Sequence, residues 1–375
     1  MTDRDEPTSA TPDASVGRRR VRVLVVDDSP TMRRLIVNAL GADPLIDVVG
    51  VAEDAYEARR QVKALAPDVL TLDVEMPRMD GVTFLQHLMS KRPTPVVMVS
   101  SFTRPGADIA RRALALGAVA CVDKPTPGNR DALKRLPTEV RAAASANLAR
   151  FHTPPPEASR PQAERPDAYA LKRDAIVMIG ASTGGVDAIE TLLRAFPGNC
   201  PPTLIVQHMP AAYSEGFAAR LDGIAEPTVR LATDGAVLRQ GEVLFAPGGD
   251  HHLQLDQGAG VRCKLKAGPK IEGHRPSVNA LFESAVPFAK RVAAALLTGI
   301  GADGAAGLTA LRAAGASTFA QDEASSIVYG MPKAALAMGA VDTSTPLSKI
   351  GGRLLAACSD RSVAALRQSM GISDG

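Results

Sequence analysis

The feature that most constrains the fold of this chain is a repeated alternation of short apolar runs with longer amphipathic stretches. In the first series VRVLVV, PDVLTL and PVVMVS are each followed by a helical pattern such as PTMRRLIVNAL or GVTFLQHLM, and AVACV closes it. Continuous apolar runs are typical of strands buried on both faces, and alternation with helices is typical of parallel sheets. We therefore predict an α/β fold.

A second series opens with IVMIG and continues through a helix from about Gly185 to strands in TLIVQ, VLFAP and RVAAALLTG. Between them HLQLD and VRCKLK alternate apolar with polar residues around the turn-forming QGAG, which indicates a hairpin. The second half is predicted to be a doubly wound, mostly parallel α/β domain with an inserted β-hairpin.

The chain of 375 residues is long enough for two domains at roughly 100–200 residues each. A polar stretch rich in Thr, Pro, Asp and Ser opens it, and FHTPPPEASRPQAERPDAY, whose prolines disfavour helix and sheet, lies between the two series. We expect a disordered tail over residues 1–20, domains over 21–145 and 173–370, and a Pro-rich linker over 146–172.

The net charge, the spacing of the cysteines and the lengths of the apolar runs argue against several classes of protein. The net charge is +3, and the basic cluster Arg18, Arg19 and Arg20 lies in the polar tail, so nothing demands a nucleic-acid partner. The four cysteines form no CxxC pair and are expected to be buried, reduced thiols. No apolar run reaches the roughly 18 residues that span a bilayer, and no signal peptide is apparent. A cytoplasmic protein without membrane insertion is expected.

Carboxylates follow the strands of the first series. Asp27 and Asp28 end the first strand and Asp73 ends the third, while Ser100 ends the fourth and Lys124 follows the fifth. Because functional groups collect at the carboxyl ends of parallel strands, these side chains should converge. Three carboxylates suit Mg²⁺, and a hydroxyl and an ammonium suit the extra oxygens of an acyl phosphate. Each Asp alone could equally be a helix N-cap.

The motifs around these residues resemble the two-component receiver family over about residues 21–145. They are VVDDS at 25–29, LDVEMP at 72–77, MDG at 79–81 and DKP at 123–125. The resemblance implies a flavodoxin-like receiver with a five-stranded parallel sheet, in which Asp73 accepts phosphate from a partner histidine kinase. It also implies that Asp27, Asp28 and Asp73 hold Mg²⁺ and that Ser100 and Lys124 sense the phosphoryl group.

In the second half, IVMIG runs directly into a glycine-flanked serine, Ser182. Glycines on both sides allow a sharp turn from strand to helix that would expose the hydroxyl at a helix N-terminus, where backbone N–H groups can receive an oxyanion. Ser182 is the predicted nucleophile. A turn that cradles phosphate and a simple helix cap are the alternatives.

A serine nucleophile needs a base, and six histidines are available. His208 follows TLIVQ and should lie at the same sheet edge as Ser182, so it is favoured. The rivals are His251 and His252, and His274 lies on a loop that could border the site; His87 and His152 lie in the first domain and the linker. Asp303, after AAALLTG, is the predicted orienting carboxylate, although it could be an N-cap. The order Ser, His, Asp differs from that of α/β-hydrolases.

The motifs of the second half resemble the chemotaxis protein-glutamate methylesterases, and the resemblance spans both domains. They are GASTGG at 180–185, QHMP at 207–210, RPSV at 275–278, TGIGADG at 298–304 and YGMP at 329–332. The resemblance implies hydrolysis of γ-methyl glutamate esters on chemoreceptors, with deamidation of receptor glutamines and no cofactor for the esterase. It assigns the oxyanion donors to the backbone of Thr183 and of Ile300, where Met is usual. Asn279 replaces a family Asp, without evident triad role.

This domain order suggests control by docking, in which the unphosphorylated receiver covers Ser182 and phosphorylation of Asp73 releases it. We expect a monomer. Two alternatives stay open: a second domain that only binds a partner, and the same esterase acting on a receptor outside chemotaxis.

Overall fold

The structure is a computed structural model. It describes residues 19–100, 109, 112–114, 116–126, 131–148, 171–172, 174–256 and 261–359. The predicted tail, most of the linker with His152, the turn QGAG and the chain beyond 359 lie outside the described residues.

The first half contains a five-stranded parallel sheet in the order β2-β1-β3-β4-β5. Its strands are β1 Val21–Val26, β2 Ile46–Ala52, β3 Val69–Asp73, β4 Val96–Ser100 and β5 Ala120–Asp123. The helices described in full are α1 Pro30–Gly41, α2 Ala55–Leu65, α3 Gly81–Lys91 and α4 Leu136–Ala144, the last preceded by a 3₁₀ turn at Ala132–Arg135. Buried apolar clusters lie on both faces of the sheet. This strand order is flavodoxin-like, as predicted.

The second half contains a six-stranded parallel sheet in the order β13-β12-β6-β7-β9-β8. Its strands are β6 Ile176–Ala181, β7 Thr203–Gln207, β8 Thr228–Leu231, β9 Glu242–Phe245, β12 Val292–Leu296 and β13 Ser317–Ala320. The helices are α5 Gly185–Leu193, α6 Ala211–Asp222, α7 Val278–Ser284, α8 Ala305–Ala313, α9 Met331–Ala337 and α10 Leu347–Ala357, with a 3₁₀ turn at Val286–Arg291.

The order of this sheet explains where a site forms. The chain leaves β6 toward β7 on one side and returns on the other side as β12, so β6 lies at the point where the winding direction changes. Ligands of open α/β sheets bind at the carboxyl ends of the strands beside such a point. Residues after β6, β7 and β12 are therefore brought to one crevice.

Two antiparallel strands, β10 His251–Leu255 and β11 Cys263–Ala267, stand outside the large sheet. They confirm the predicted hairpin. It packs against α7, where the Ser284 hydroxyl accepts the N–H of Leu255 at 2.8 Å.

The two halves contact each other directly. The buried cluster that contains α1 and α4 of the first domain also includes Ile300, Ile327 and Val328 of the second. In addition, the Asn147 N–H donates to the carbonyl of Ile327 at 3.0 Å. None of the helices in the described ranges combines the length and the apolar character that a bilayer crossing requires.

All four cysteines are free thiols; Cys200, Cys263 and Cys358 are buried and Cys121 is half-buried. The predicted burial therefore agrees with the structure for three of the four thiols and is incomplete for Cys121.

Candidate active site and receiver site

The predicted carboxylate cluster forms at the carboxyl edge of the first sheet. Carboxylate oxygens of Asp27, Asp28 and Asp73 lie within 4.8 Å of one another, and Asp28 alone of the three is exposed. The Lys124 ammonium lies 2.7 Å from Asp73 Oδ2 and 3.0 Å from Asp27 Oδ2. Ser100 is buried at the end of β4. The structure thus brings all five predicted residues to one edge.

Burial and mutual repulsion disfavour the charged forms of these carboxylates, and Lys124 offsets this only in part. Burial raises the pKa of Asp73 to about 6, and Asp27 adds to the rise, although Lys124 opposes it. None of these aspartates caps the helix that follows it, since the N-caps of α1 and α3 are Ser29 and Asp80. The helix-cap alternative is therefore wrong here, and the hard oxygen ligands fit Mg²⁺.

Ser182 lies on a tight turn between β6 and α5. Gly184 adopts φ 78°, which glycine tolerates best. The Ser182 N–H donates to Thr298 O at 3.0 Å, and its carbonyl accepts from the Gln207 amide at 2.7 Å. Because Gly184 is the N-cap of α5, the Ser182 hydroxyl does not cap this helix. The backbone N–H and carbonyl of Ser182 are thus both hydrogen-bonded, and its hydroxyl is not used as a helix cap.

His208 and Asp303 are joined at the same edge. His208 Nε2 lies 2.7 Å from Asp303 Oδ2, and the two side chains are 4% and 1% exposed. Because a carboxylate accepts hydrogen bonds, Nε2 carries the proton and Nδ1 keeps its lone pair. Nδ1 is buried and has no hydrogen-bond partner among the described residues, so Ser182 does not yet bond it. This tautomer is the one a general base needs.

Asp303 is held by the loop that leads into α7. Its carboxylate accepts from the Ser277 hydroxyl at 2.8 Å and from the N–H groups of Val278 at 2.8 Å and Asn279 at 2.9 Å. Burial would raise the pKa of Asp303, but His208 and these N–H donors hold it below the usual range. Asp303 does not cap α8, whose N-cap is Gly304. The alternative that Asp303 is simply the N-cap of the helix after it is therefore wrong.

The electrostatics around His208 disfavour its protonation. Burial lowers the pKa of His208, Asp303 opposes this, and Arg135 of the first domain lowers it further. The first domain therefore places a positive charge near the imidazole that must become positive in a base-catalysed reaction.

The rival histidines have other environments. His251 is exposed, as is His87 on α3. His252 is buried, donates from Nε2 to Pro269 O at 2.9 Å, and accepts at Nδ1 from the Ser277 N–H at 3.1 Å. Since both of its nitrogens are occupied, His252 cannot act as the base. The His274 ring stacks on that of His208.

The predicted oxyanion donors are available. The N–H groups of Thr183 and Ile300 donate to nothing within the described residues. Thr298 Oγ1 donates to Thr183 O at 2.9 Å and so orients that peptide. A Cβ at Gly299 would lie 2.7 Å from the Ser182 Cβ, so only glycine lets this loop pass so close.

Known proteins match both halves. A family model described as CheB methylesterase matches residues 177–354, and one described as response regulator receiver domain matches residues 23–136. The protein-glutamate methylesterase/protein-glutamine glutaminase 1 of Caulobacter vibrioides is 50% identical over 91% of this chain and 99% of its own. This chain belongs to the CheB methylesterase family.

Two further proteins are similar to this chain. A protein-glutamate methylesterase/protein-glutamine glutaminase of Agrobacterium fabrum is 49% identical over 89% of this chain and 95% of its own. A solved Thermotoga maritima CheB methylesterase catalytic domain is 36% identical, with 48% of this chain and 97% of that one covered at a TM-score of 0.47.

In this family member both domains line one cavity of about 420 Å³. Asp123, Arg135 and Glu139 of the receiver face Ser182 and His208 across it. The receiver thus lies over the candidate active site.

Several supporting residues were not predicted from the sequence. Gln207 bonds the carbonyls of both Ser182 and His208, at 2.7 and 3.1 Å. Asn279, for which no role in the triad was evident, holds Asp303 through its backbone N–H. Their positions beside recognised motif residues were the available signal.

Proposed function

We propose that this chain is a phosphorylation-activated serine esterase that removes methyl groups from γ-methyl glutamate esters of chemoreceptors. By the same chemistry it deamidates receptor glutamines to glutamate. The observation that carries this proposal is that Ser182 lines the same cavity as His208, whose pair with Asp303 leaves the other ring nitrogen with the lone pair of a general base.

The reaction follows from the protonation states. His208 Nδ1 takes the Ser182 hydroxyl proton as Oγ attacks the ester carbonyl, and Asp303 stabilises the imidazolium that results. The proton then passes to the departing methoxide, and methanol leaves. Water, deprotonated in turn by His208, hydrolyses the acyl-enzyme and frees glutamate. With a glutamine substrate the leaving group is ammonia.

The developing oxyanion needs donors that are not already engaged. The N–H groups of Thr183 and Ile300 meet that requirement and come from the two loops that flank Ser182. Removal of one such donor typically costs roughly 10²- to 10³-fold in kcat. The replacement of the usual Met by Ile300 leaves a backbone donor intact.

In the receiver, Asp73 accepts the phosphoryl group from a histidine kinase. Asp27, Asp28 and Asp73 would hold Mg²⁺, which supplies positive charge against the carboxylates and the incoming phosphoryl oxygens. Ser100 and Lys124 provide a hydroxyl and an ammonium for those oxygens. The strained carboxylates, and the raised pKa of Asp73 that reports them, support this role.

Control arises from docking of the receiver over Ser182. Lys124 contacts Asp73, whereas its neighbour Asp123 lines the shared cavity. A phosphoryl group on Asp73 would attract Lys124 and so move the end of β5. Because Asp123 lies at that end, the movement would reach the receiver surface that lines the shared cavity. Release then exposes Ser182 and removes Arg135 from the vicinity of His208.

The test measures methanol release from methyl-labelled receptor membranes of the same organism, with and without a small phosphodonor plus Mg²⁺. We expect release that rises with phosphodonor, disappears in Ser182→Ala, and persists in Ser348→Ala, a matched change at an exposed serine on α10. No release from the native protein under either condition would contradict the proposal and favour a partner-binding second domain.

A further inference from the structure

The ring of His274 lies flat against the ring of His208. Their centroids are 3.6 Å apart and their planes differ by 8°. We propose that His274 is a positioning residue for the general base: its ring, stacked on the His208 imidazole, fixes the orientation of that imidazole and keeps water from one of its faces. This inference depends on the proposed esterase function and adds a residue to it.

The loop that carries His274 is anchored independently of His208. The Arg275 guanidinium donates to Gly249 O at 2.8 Å and to Gly268 O at 2.7 Å, and it pairs with Asp250. These three partners belong to the hairpin region. His274 is therefore brought to His208 by a braced loop.

His252 anchors the same loop through two further hydrogen bonds. Its two nitrogens bond Pro269 O and the Ser277 N–H, one on each side of His274. Within the loop, His274 and Ile271 exchange backbone hydrogen bonds of 2.9 and 3.0 Å. Since Ser277 also bonds Asp303, one loop fixes the carboxylate and the ring that together hold His208.

The charges of the two rings during the reaction favour the stack. His208 becomes an imidazolium during the reaction, and a neutral aromatic face is attracted to such a cation. Burial first, and then the neighbouring His208, lower the pKa of His274 to about 2, so His274 stays uncharged. The charged groups that face this pair are Asp303, Arg135 and Lys270.

The stack leaves the rest of the mechanism unchanged. His208 Nε2 is fixed by Asp303, but a single hydrogen bond allows the ring to rotate about it. The stacked ring restricts that rotation and so fixes the position of Nδ1 beside the cavity that His208 and Ser182 both line. A base misplaced by about 1 Å costs on the order of 10²-fold.

Three substitutions separate these effects. His274→Phe keeps a flat ring that cannot charge, His274→Leu keeps volume without a ring, and His274→Ala removes both. His251→Ala is the matched control, because His251 is an exposed histidine nearby on β10. Thermal unfolding and phosphodonor-dependent labelling of Asp73 show whether each variant is folded.

The experiment measures kcat, KM and the pH profile of kcat/KM for methanol release by the full chain with phosphodonor and Mg²⁺. We expect kcat to fall roughly 10- to 100-fold in His274→Leu and His274→Ala with KM nearly unchanged, and less than about 3-fold in His274→Phe. In the Ala variant the acid limb should move to higher pH, because water reaches the His208 ring; in the Phe variant it should stay.

Native-like kcat in folded His274→Leu, or a Phe variant as impaired as the Leu variant, would overturn the inference while leaving the esterase intact. An inactive native protein would instead refute the proposed function, so the two failures are distinguishable.

Discussion

The receiver site and the triad site both lie at the carboxyl edge of a parallel sheet, but they neutralise buried carboxylates differently. In the receiver, Asp27 and Asp73 share one cation, Lys124, and burial raises the pKa of Asp73 to about 6. In the esterase, Asp303 is surrounded by N–H and O–H donors and its pKa lies below the usual range. The first site therefore suits the proposed cation and phosphoryl group, and the second suits the proposed transient charge on an imidazole.

The largest effect expected from this contrast is that of Asp303→Asn. An amide offers N–H where three donors already point, and it no longer stabilises the His208 tautomer with the proton on Nε2. We expect kcat to fall roughly 10³- to 10⁴-fold, as for the equivalent change in other serine hydrolases.

This prediction is checked by initial rates of methanol release, with thermal unfolding of the full chain as the control for folding. A loss below about 10-fold would show that Asp303 does not orient the base.

The corresponding substitution in the receiver should leave basal activity intact and abolish its stimulation. Asp73→Asn removes the phosphoryl acceptor but touches nothing in the esterase, so basal activity should stay within about 2-fold while stimulation by phosphodonor disappears. Stimulation itself is expected to be roughly 5- to 150-fold, the usual range of coupling between two sites.

Chelation of Mg²⁺ should abolish stimulation of the native protein to the same extent. Stimulation that survives in Asp73→Asn, or without Mg²⁺, would break the assignment of the receiver site.

The smallest effect concerns the interface between the two sites. Arg135 pairs with the buried Glu139 at 2.9 Å and lies close enough to lower the pKa of His208. Arg135→Ala removes that charge and leaves Glu139 unpaired, which should weaken docking and raise basal activity about 3- to 10-fold.

Arg141→Ala on the adjoining helix α4 is the control, because Arg141 pairs with Asp43 inside the receiver. Equal basal rates for the Arg135 and Arg141 variants would show that Arg135 contributes nothing to control.

The sequence predicted which residues come together at each site because each lies at or after the carboxyl end of an apolar strand. It did not predict the edge strands β8 and β13, since TVRL and STFA are only four residues long and partly exposed. Edge strands lack the continuous apolar runs that mark central ones.

The supports of the triad were also beyond the sequence. The side chains of Gln207 and Thr298 donate to backbone carbonyls, and Asn279 donates its backbone N–H to Asp303. These partners come close only when the sheet is assembled. The interface residues Ile300, Ile327 and Val328 are indistinguishable in sequence from ordinary core residues. Tertiary contacts of this kind have no local pattern.

The most direct test of the account compares the unphosphorylated full chain with a fragment that begins at Asp174, both assayed for methanol release from methyl-labelled receptor membranes. If the receiver covers a complete esterase site, the fragment should be faster, insensitive to phosphodonor, and inactive with Ser182→Ala. A fragment that is no faster than the unphosphorylated full chain would contradict control by docking.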